Sequence, residues 1–257
     1  MRWLLPCALI ATVCTTALGT SPALAAPAIP VVFGTTWDGP ANSLQNIVDA
    51  YTGVPGALNV QTDFVGGHSG DQDPWFWVGR SFPALMITEV AGHANTNELG
   101  WYKETFAMPV LDGVDDGVVF TGLQGGGASA LITFPSGTQK FGFYLNTHQT
   151  ITTPAGAKNQ VFYTDRFLND IGPNGYAATH APYDGDVQAL VFDVSQWKGP
   201  NTWLVCFEDV DSGNPVSPVW GPNATDNDYN DLVFEVTAFG ATPVRALSFG
   251  ALKARYR

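Results

Sequence analysis

Short runs of β-branched and aromatic residues recur along this chain, separated by turn clusters, and helical periodicity is scarce. Twenty-eight glycines and eighteen prolines punctuate it, and only 13% of its residues are charged. Regularly spaced short strands between turn signals are the pattern of an all-β sandwich. The expectation is one antiparallel β-sandwich, jelly-roll-like, over residues 26–240. The runs predict strands at Pro30–Thr35, Ala57–Phe64, Trp75–Val78, Leu85–Val90, Gly117–Thr121, Ser129–Phe134, Lys140–Leu145, Gln160–Thr164, Val187–Val194, Thr202–Glu208 and Leu232–Phe239. Asn42–Tyr51 reads as a short helix, with Asn42 or Ser43 as its cap and Leu44, Ile47 and Val48 on its apolar face. Phe141, Phe143 and Leu145 share one face of their strand. Trp203, Val205 and Phe207 oppose Leu204, Cys206 and Glu208 in theirs. Apolar residues on both faces predict that these two strands are central and covered.

The N-terminus predicts export. Met1-Arg2 is a short basic start, Trp3–Leu18 is largely apolar, and Ala23-Leu24-Ala25 is the small-x-small pattern that a signal peptidase needs. The apolar stretch is shorter than the ~20 residues of a bilayer span. Cleavage near Ala25/Ala26 makes the protein extracellular or cell-surface, with residues 1–25 as signal peptide. It also removes Cys7 and Cys14 and leaves Cys206 alone, so no internal disulfide can brace the fold. With Arg2 gone, ten basic residues face twenty-three acids, a net charge of −13. That balance excludes nucleic acid and anionic lipid as natural partners and suits cation binding. No segment after residue 25 is apolar enough for a transmembrane span. The end, 241–257, differs in character: Arg245, Lys253, Arg255 and Arg257 make it a basic tail and a candidate sorting tag.

The most informative stretch is acidic. Phe207-Glu208-Asp209 is followed, after a variable loop, by Asp226-Asn227-Asp228-Tyr229-Asn230-Asp231-Leu232-Val233-Phe234. In an extended or gently curled loop, Asp226, Asp228 and Asn230 project to one side. Crowded carboxylates repel, and a hard cation removes that cost. Ca²⁺ accepts six to eight mixed oxygen ligands, whereas Mg²⁺ suits such an irregular set less well. Asp231, Glu208 and Asp209 can supply further oxygens. The Asp-x-Asp-x-Asn spacing opens like an EF-hand loop, but Asp231 stands where Gly is needed and Thr237 where Glu is needed. The alternative is that these acids cap turn backbone without metal.

The same motif resembles the domain of unknown function 4114 family of bacterial exported proteins. Looser blocks extend the likeness: Ile87–Gly92, Asn95–Tyr102, Phe141-Gly142-Phe143-Tyr144-Leu145, and Phe162–Asp165 with Leu168-Asn169 and His180. It covers roughly residues 85–236. The resemblance implies a β-sandwich, suggests cation binding at the acidic motif, and implies no established activity. Some members form parts of large adhesins, and many carry C-terminal sorting tags. The usual sorting tail, with its transmembrane segment and terminal Arg cluster, is absent here.

Other signals carry less. Gly67-His68-Ser69-Gly70 falls one residue short of a nucleophile elbow and lacks its following helix. His68, His93, His148 and His180 are too scattered for a catalytic zinc site. Gly125-Gly126-Gly127 lacks the Lys-Ser/Thr of a phosphate loop. Asp71 and Asp73 precede Trp75-Phe76-Trp77, a combination that holds sugar rings in some proteins but more often is strand core. The expected function is a non-enzymatic, calcium-stabilised surface module. Its work would be adhesion, surface structure or ligand binding, with surface glycans or other surface proteins as partners. The competing expectation is a secreted carbohydrate-binding or carbohydrate-active protein, which as a glycosidase needs two acids flanking a sugar bond.

Overall fold

A computed structural model describes residues 39–65, 74–78, 81–91, 94–105, 107–153, 156–165, 168–169, 187–209 and 228–240. The signal-like segment, the expected strand Pro30–Thr35, Asp71, Asp73, His68, His93, His180, Asp226 and the basic tail lie outside them. The chain forms two packed antiparallel sheets, an all-β sandwich. The strands are β1 (Phe76–Trp77), β2 (Phe82–Glu89), β3 (Glu98–Lys103), β4 (Asp116–Thr121), β5 (Ser129–Ile132), β6 (Lys140–Thr153), β7 (Gly156–Tyr163), β8 (Ala189–Asp193), β9 (Thr202–Phe207), β10 (Leu232–Thr237) and β11 (Phe239–Gly240). The first sheet runs β11-β1-β6-β3-β4, with β7 also on β6, and the second runs β5-β2-β10-β9-β8. The earliest strands thus pair with the latest ones in both sheets, β1 with β11 and β2 with β10.

Strand periodicity sorts the side chains into three apolar layers. Between the sheets lie Phe76, Phe82, Met86, Leu99, Trp101, Phe141, Phe143, Leu145, Trp203, Val205, Phe207, Leu232 and Phe234. Their rings meet mostly edge to face, with Phe143 at 5.1 Å from Phe76 and 4.9 Å from Phe234 between centroids. Leu204 and Cys206 face outward beneath helix α1 (Leu44–Thr52), together with Leu44 and Val48. On the outer face of the first sheet, Tyr102, Tyr144 and Tyr163 form a third layer with Val161 and Leu168. The alternation expected in β6 and β9 is therefore present, and β9 is buried at all six positions. Cys206 is buried and free. A second helix, α2 (Ser195–Lys198), is a single turn linking β8 to β9.

Helix α1 begins as its sequence predicts, with the Ser43 hydroxyl accepting from the Asn46 amide at 3.4 Å. The expected strand Ala57–Phe64 is not a strand but a series of turns. Gln45, from α1, donates its amide to Leu58 O at 2.8 Å and accepts from Val60 N at 3.2 Å. Asp63 closes the turn by accepting from Asn59 N at 2.8 Å. The backbone groups of a ladder are thereby engaged locally, while Leu58, Val60 and Phe64 still bury themselves beside α1. Strand β3 was not among the expected strands.

Burial raises the hydroxyl pKa of Tyr51, Tyr102, Tyr144 and Tyr163 above the ordinary value near 10, desolvation being the largest cause in each. In Tyr51 the hydrogen bond and charge of Glu235 add to it. The unfolded chain ionises these groups at about pH 10. Above that pH it binds fewer protons than the fold, so stability is intact below about pH 10 and is lost as pH rises. Tyrosinate absorbance is expected to appear together with loss of near-UV circular dichroism in one alkaline transition. Full ionisation of all eight tyrosines with the dichroism unchanged would contradict the burial described here.

Candidate metal centre

At one end of the second sheet three strands stop in register. Glu89, the last residue of β2, pairs with Leu232, the first of β10, and Leu232 pairs with Phe207, the last of β9. The residues just beyond the ends of β9 and β10 are acids, so the antiparallel register of these two strands brings them together. The carboxylates of Glu208, Asp209 and Asp231 place ligand oxygens within 4.8 Å of one another, and all three residues are buried. Backbone bonds hold the strand ends: Val90 N donates to Asp231 O at 3.1 Å, and Glu208 N to Gln188 O at 3.0 Å. Two of the carboxylates also accept backbone amides, Asp231 Oδ2 from Asp209 N at 2.8 Å and Glu208 Oε2 from Tyr229 N at 3.3 Å.

Tyr229 shapes the loop entering β10. Its φ is 55°, in the left-handed region that a bulky residue seldom occupies. Such a conformation persists only when the surroundings enforce it. Here the buried hydroxyl donates to Val187 O at 2.9 Å, while the amide turns toward Glu208.

Asp228 and Asn230 sit beside the three acids in a different way. The Asp228 carboxylate accepts from Asn230 N at 3.2 Å and from Asn230 Nδ2 at 2.8 Å. Asn230 Nδ2 also donates to Asn42 O at 2.7 Å, tying the loop to the start of α1. These bonds are of the kind that cap a turn, and beside them Glu208, Asp209 and Asp231 are the acids whose ligand oxygens converge among the described residues. Asp226, the remaining expected ligand, lies outside the described residues.

Electrostatics mark the same spot. Burial, and then the charges of Glu208, Asp209 and Asp228, hold the Asp231 carboxyl well above the usual range against the opposing amide of Asp209. The donors are all hard oxygens. Cys206, the nearest soft ligand in sequence, faces the opposite layer under α1. An all-oxygen, carboxylate-rich set fits Ca²⁺ rather than Zn²⁺.

The acidic turn before β4 makes a useful contrast. There Asp116 Oδ1 accepts from Asp112 N at 2.9 Å and Gly113 N at 2.7 Å, Asp112 Oδ1 accepts from Val114 N, and Asp115 pairs with Lys103 at 3.1 Å. Those acids cap backbone or meet a lysine, and their carboxylates do not converge.

Two residues that the motif did not point to complete the surroundings. Asn97, almost wholly buried, donates Nδ2 to Asp209 Oδ2 at 3.3 Å. Glu89 is half-buried and its pKa is pushed up to about 7, first by burial and then by the Asp209 charge, with the Asn97 hydrogen bond opposing. They fall in the blocks Ile87–Gly92 and Asn95–Tyr102, yet only tertiary structure brings them to the acids: Glu89 through the register of β2 against β10, and Asn97 through the turn before β3.

The other singled-out aromatics are accounted for. Trp75 packs edge-on against Tyr102 at 5.7 Å, and Trp77 is exposed with Lys140 Nζ 4.9 Å above its ring. No helix among the described residues is long and apolar enough to cross a membrane. Comparison of the chain with protein-family models, with curated proteins and with solved structures gave no match.

Proposed function

We propose that this chain is a non-enzymatic, calcium-stabilised β-sandwich module that acts outside the cytoplasm, in adhesion, surface structure or ligand binding. The observation that carries the reading is the convergence of three buried carboxylates, Glu208, Asp209 and Asp231, at the shared end of three strands. Three acids crowded in a water-poor site repel, and Asp231 is forced toward its neutral form. A bound Ca²⁺ converts that repulsion into attraction and stabilises the folded state, because the unfolded chain has no such convergence. The export-like N-terminus, the resemblance to exported bacterial proteins and the acidic charge all fit a place where calcium is plentiful.

Two clefts bear on the carbohydrate-active alternative. One, of about 390 Å³ between β4 and β5, is lined by Trp101, Val118, Leu131 and Asp116. The other, of about 440 Å³, is lined by Lys103, Glu104, Asp112 and Asp115. Asp116 and Asp112 cap backbone amides, while Glu104 and Asp115 meet Lys140 and Lys103. Their acids have structural partners, which favours the binding module over a glycosidase.

Isothermal titration of residues 26–257 with calcium tests the site. The expected result is saturable binding at about one equivalent, with Kd on the order of 10⁻⁴ M, the tight end of the range for extracellular calcium modules. Asp231→Asn should weaken it at least tenfold. Absence of binding by the unsubstituted protein at millimolar calcium would remove the proposal.

A further inference from the structure

The consecutive strands β4 and β5 divide between the two sheets. β4 pairs with β3 at the end of the first sheet, and β5 pairs with β2 at the end of the second. Among the described residues neither strand is paired on its other side. A cleft of about 390 Å³ lies between the start of β4 and the end of β5. Trp101 and Ile132 line it as buried residues, while Val118 and Leu131, which also line it, are 53% and 64% exposed. Open edges that carry apolar side chains invite pairing with another chain, and folds guard them with Lys, Pro, a bulge or a cover. β4 has one irregularity in its register against β3, but neither β4 nor β5 contains Lys or Pro.

The approach to the cleft is acidic. Asp112, Asp115 and Asp116 stand at the start of β4, and Lys103 pairs with Asp115 there. That pair is exposed on both partners, so it is weak and readily exchanged for another cation. One segment of the chain complements the surface in both shape and charge. Leu252, Ala254 and Tyr256 alternate with Lys253, Arg255 and Arg257. Such a run has one apolar and one cationic face when extended. A second copy meeting this edge with its own would instead bring together two strongly acidic chains, which repel. The reach is sufficient. β11, ending at Gly240, lies at the opposite end of the first sheet from β4, four strand spacings or about 19 Å away. Residues 241–251 span up to about 36 Å.

We propose that Leu252–Arg257 docks as an added strand in the cleft between β4 and β5 of its own chain, with its apolar face inward and its cationic face toward Asp112 and Asp115. The basic tail thereby covers the two edges that the sandwich leaves open.

Trypsin cuts after Lys253 and Arg255 only while the tail is undocked, so cleavage tracks the open population. In residues 26–257, Val118→Arg is expected to speed those cuts tenfold or more. Leu252→Ser combined with Tyr256→Ser should do the same from the tail's side, without touching the described core. Near-UV dichroism checks that Val118→Arg is folded. Equal rates in the unsubstituted protein and both variants would overturn the proposal. Carbodiimide coupling of amines to adjoining carboxylates gives a second reading. Lys253 should couple to Asp112 or Asp115, and in a mixture of isotope-labelled and unlabelled protein it should do so only within one chain. Coupling between chains would place the strand on a second copy and overturn the assignment. Failure of Lys253 to couple to either acid would overturn the docking itself.

Discussion

Phe143→Ala is expected to lower stability by about 3–5 kcal/mol, the usual cost of emptying a fully enclosed aromatic site. Phe143 has no exposed surface and lies between the sheets at the middle of a ring cluster. Phe76 and Phe234 approach it at 5.1 and 4.9 Å and Phe141 at 5.4 Å, so partners from β1, β10 and its own strand would all border the cavity. Rings held from three sides cannot collapse into the gap, which places the cost at the upper end of the range. For a domain of this size each kcal/mol shifts the melting temperature by about 2–4 °C, so a drop of roughly 10 °C or more is expected. Leu131→Ala, at a side chain 64% exposed, serves as the control, with a change within about 0.5 kcal/mol. Equal melting temperatures for the two variants would place Phe143 outside the core.

Gly122→Ala is expected to be nearly as damaging for a different reason. A Cβ there meets the Ala94 carbonyl oxygen, and at 2.5 and 2.7 Å the carbonyl carbon and oxygen of Asn95. These are backbone atoms, which cannot swing away as a side-chain tip does. The turn at residues 94–96 must move, at a cost of about 3 kcal/mol. That turn delivers Asn97 to Asp209, so calcium affinity is expected to fall along with stability. Gly125→Ala, where a Cβ meets nothing within 4 Å, should leave both unchanged. Urea unfolding with and without calcium measures the two effects separately. A Gly122→Ala protein as stable as the original would contradict the close approach.

What the sequence made legible followed the range of the interactions involved. The faces of β6 and β9 are local facts, because alternation along a strand needs no partner. The cap and apolar face of α1 are local too. Strand β3 was hidden because its middle, Leu99-Gly100-Trp101-Tyr102, is buried throughout instead of alternating, and it carries a glycine. The structure supplies the reason for that glycine: the Tyr144 ring lies across Gly100, in space a Cβ would fill. The segment at Ala57–Phe64 misled in the opposite direction, since its apolar residues are buried by turns that Gln45 fastens to α1 and not by a ladder.

The acidic site divides in the same way. Glu208, Asp209 and Asp231 were readable as acids near two adjoining strand ends, and the pairing of β9 with β10 brings them together. Spacing by two drew attention to Asp228 and Asn230, which bond to each other, with Asn230 also donating to Asn42 O. Glu89 and Asn97 were out of reach, because nothing local announces that β2 will pair with β10 or that the turn before β3 will reach Asp209.

The central claim is that a cation stabilises this fold. Its most direct test is a pair of thermal melts of residues 26–257, one in about 10 mM calcium, roughly 100 times a Kd near 10⁻⁴ M, and one in chelator. At a calcium concentration of about 100 Kd, linkage adds roughly 2.7 kcal/mol. The account therefore predicts a melting temperature higher by at least about 5 °C with calcium, and loss of that difference in Asp231→Ala. Superimposable melts of the unsubstituted protein in the two conditions would contradict it.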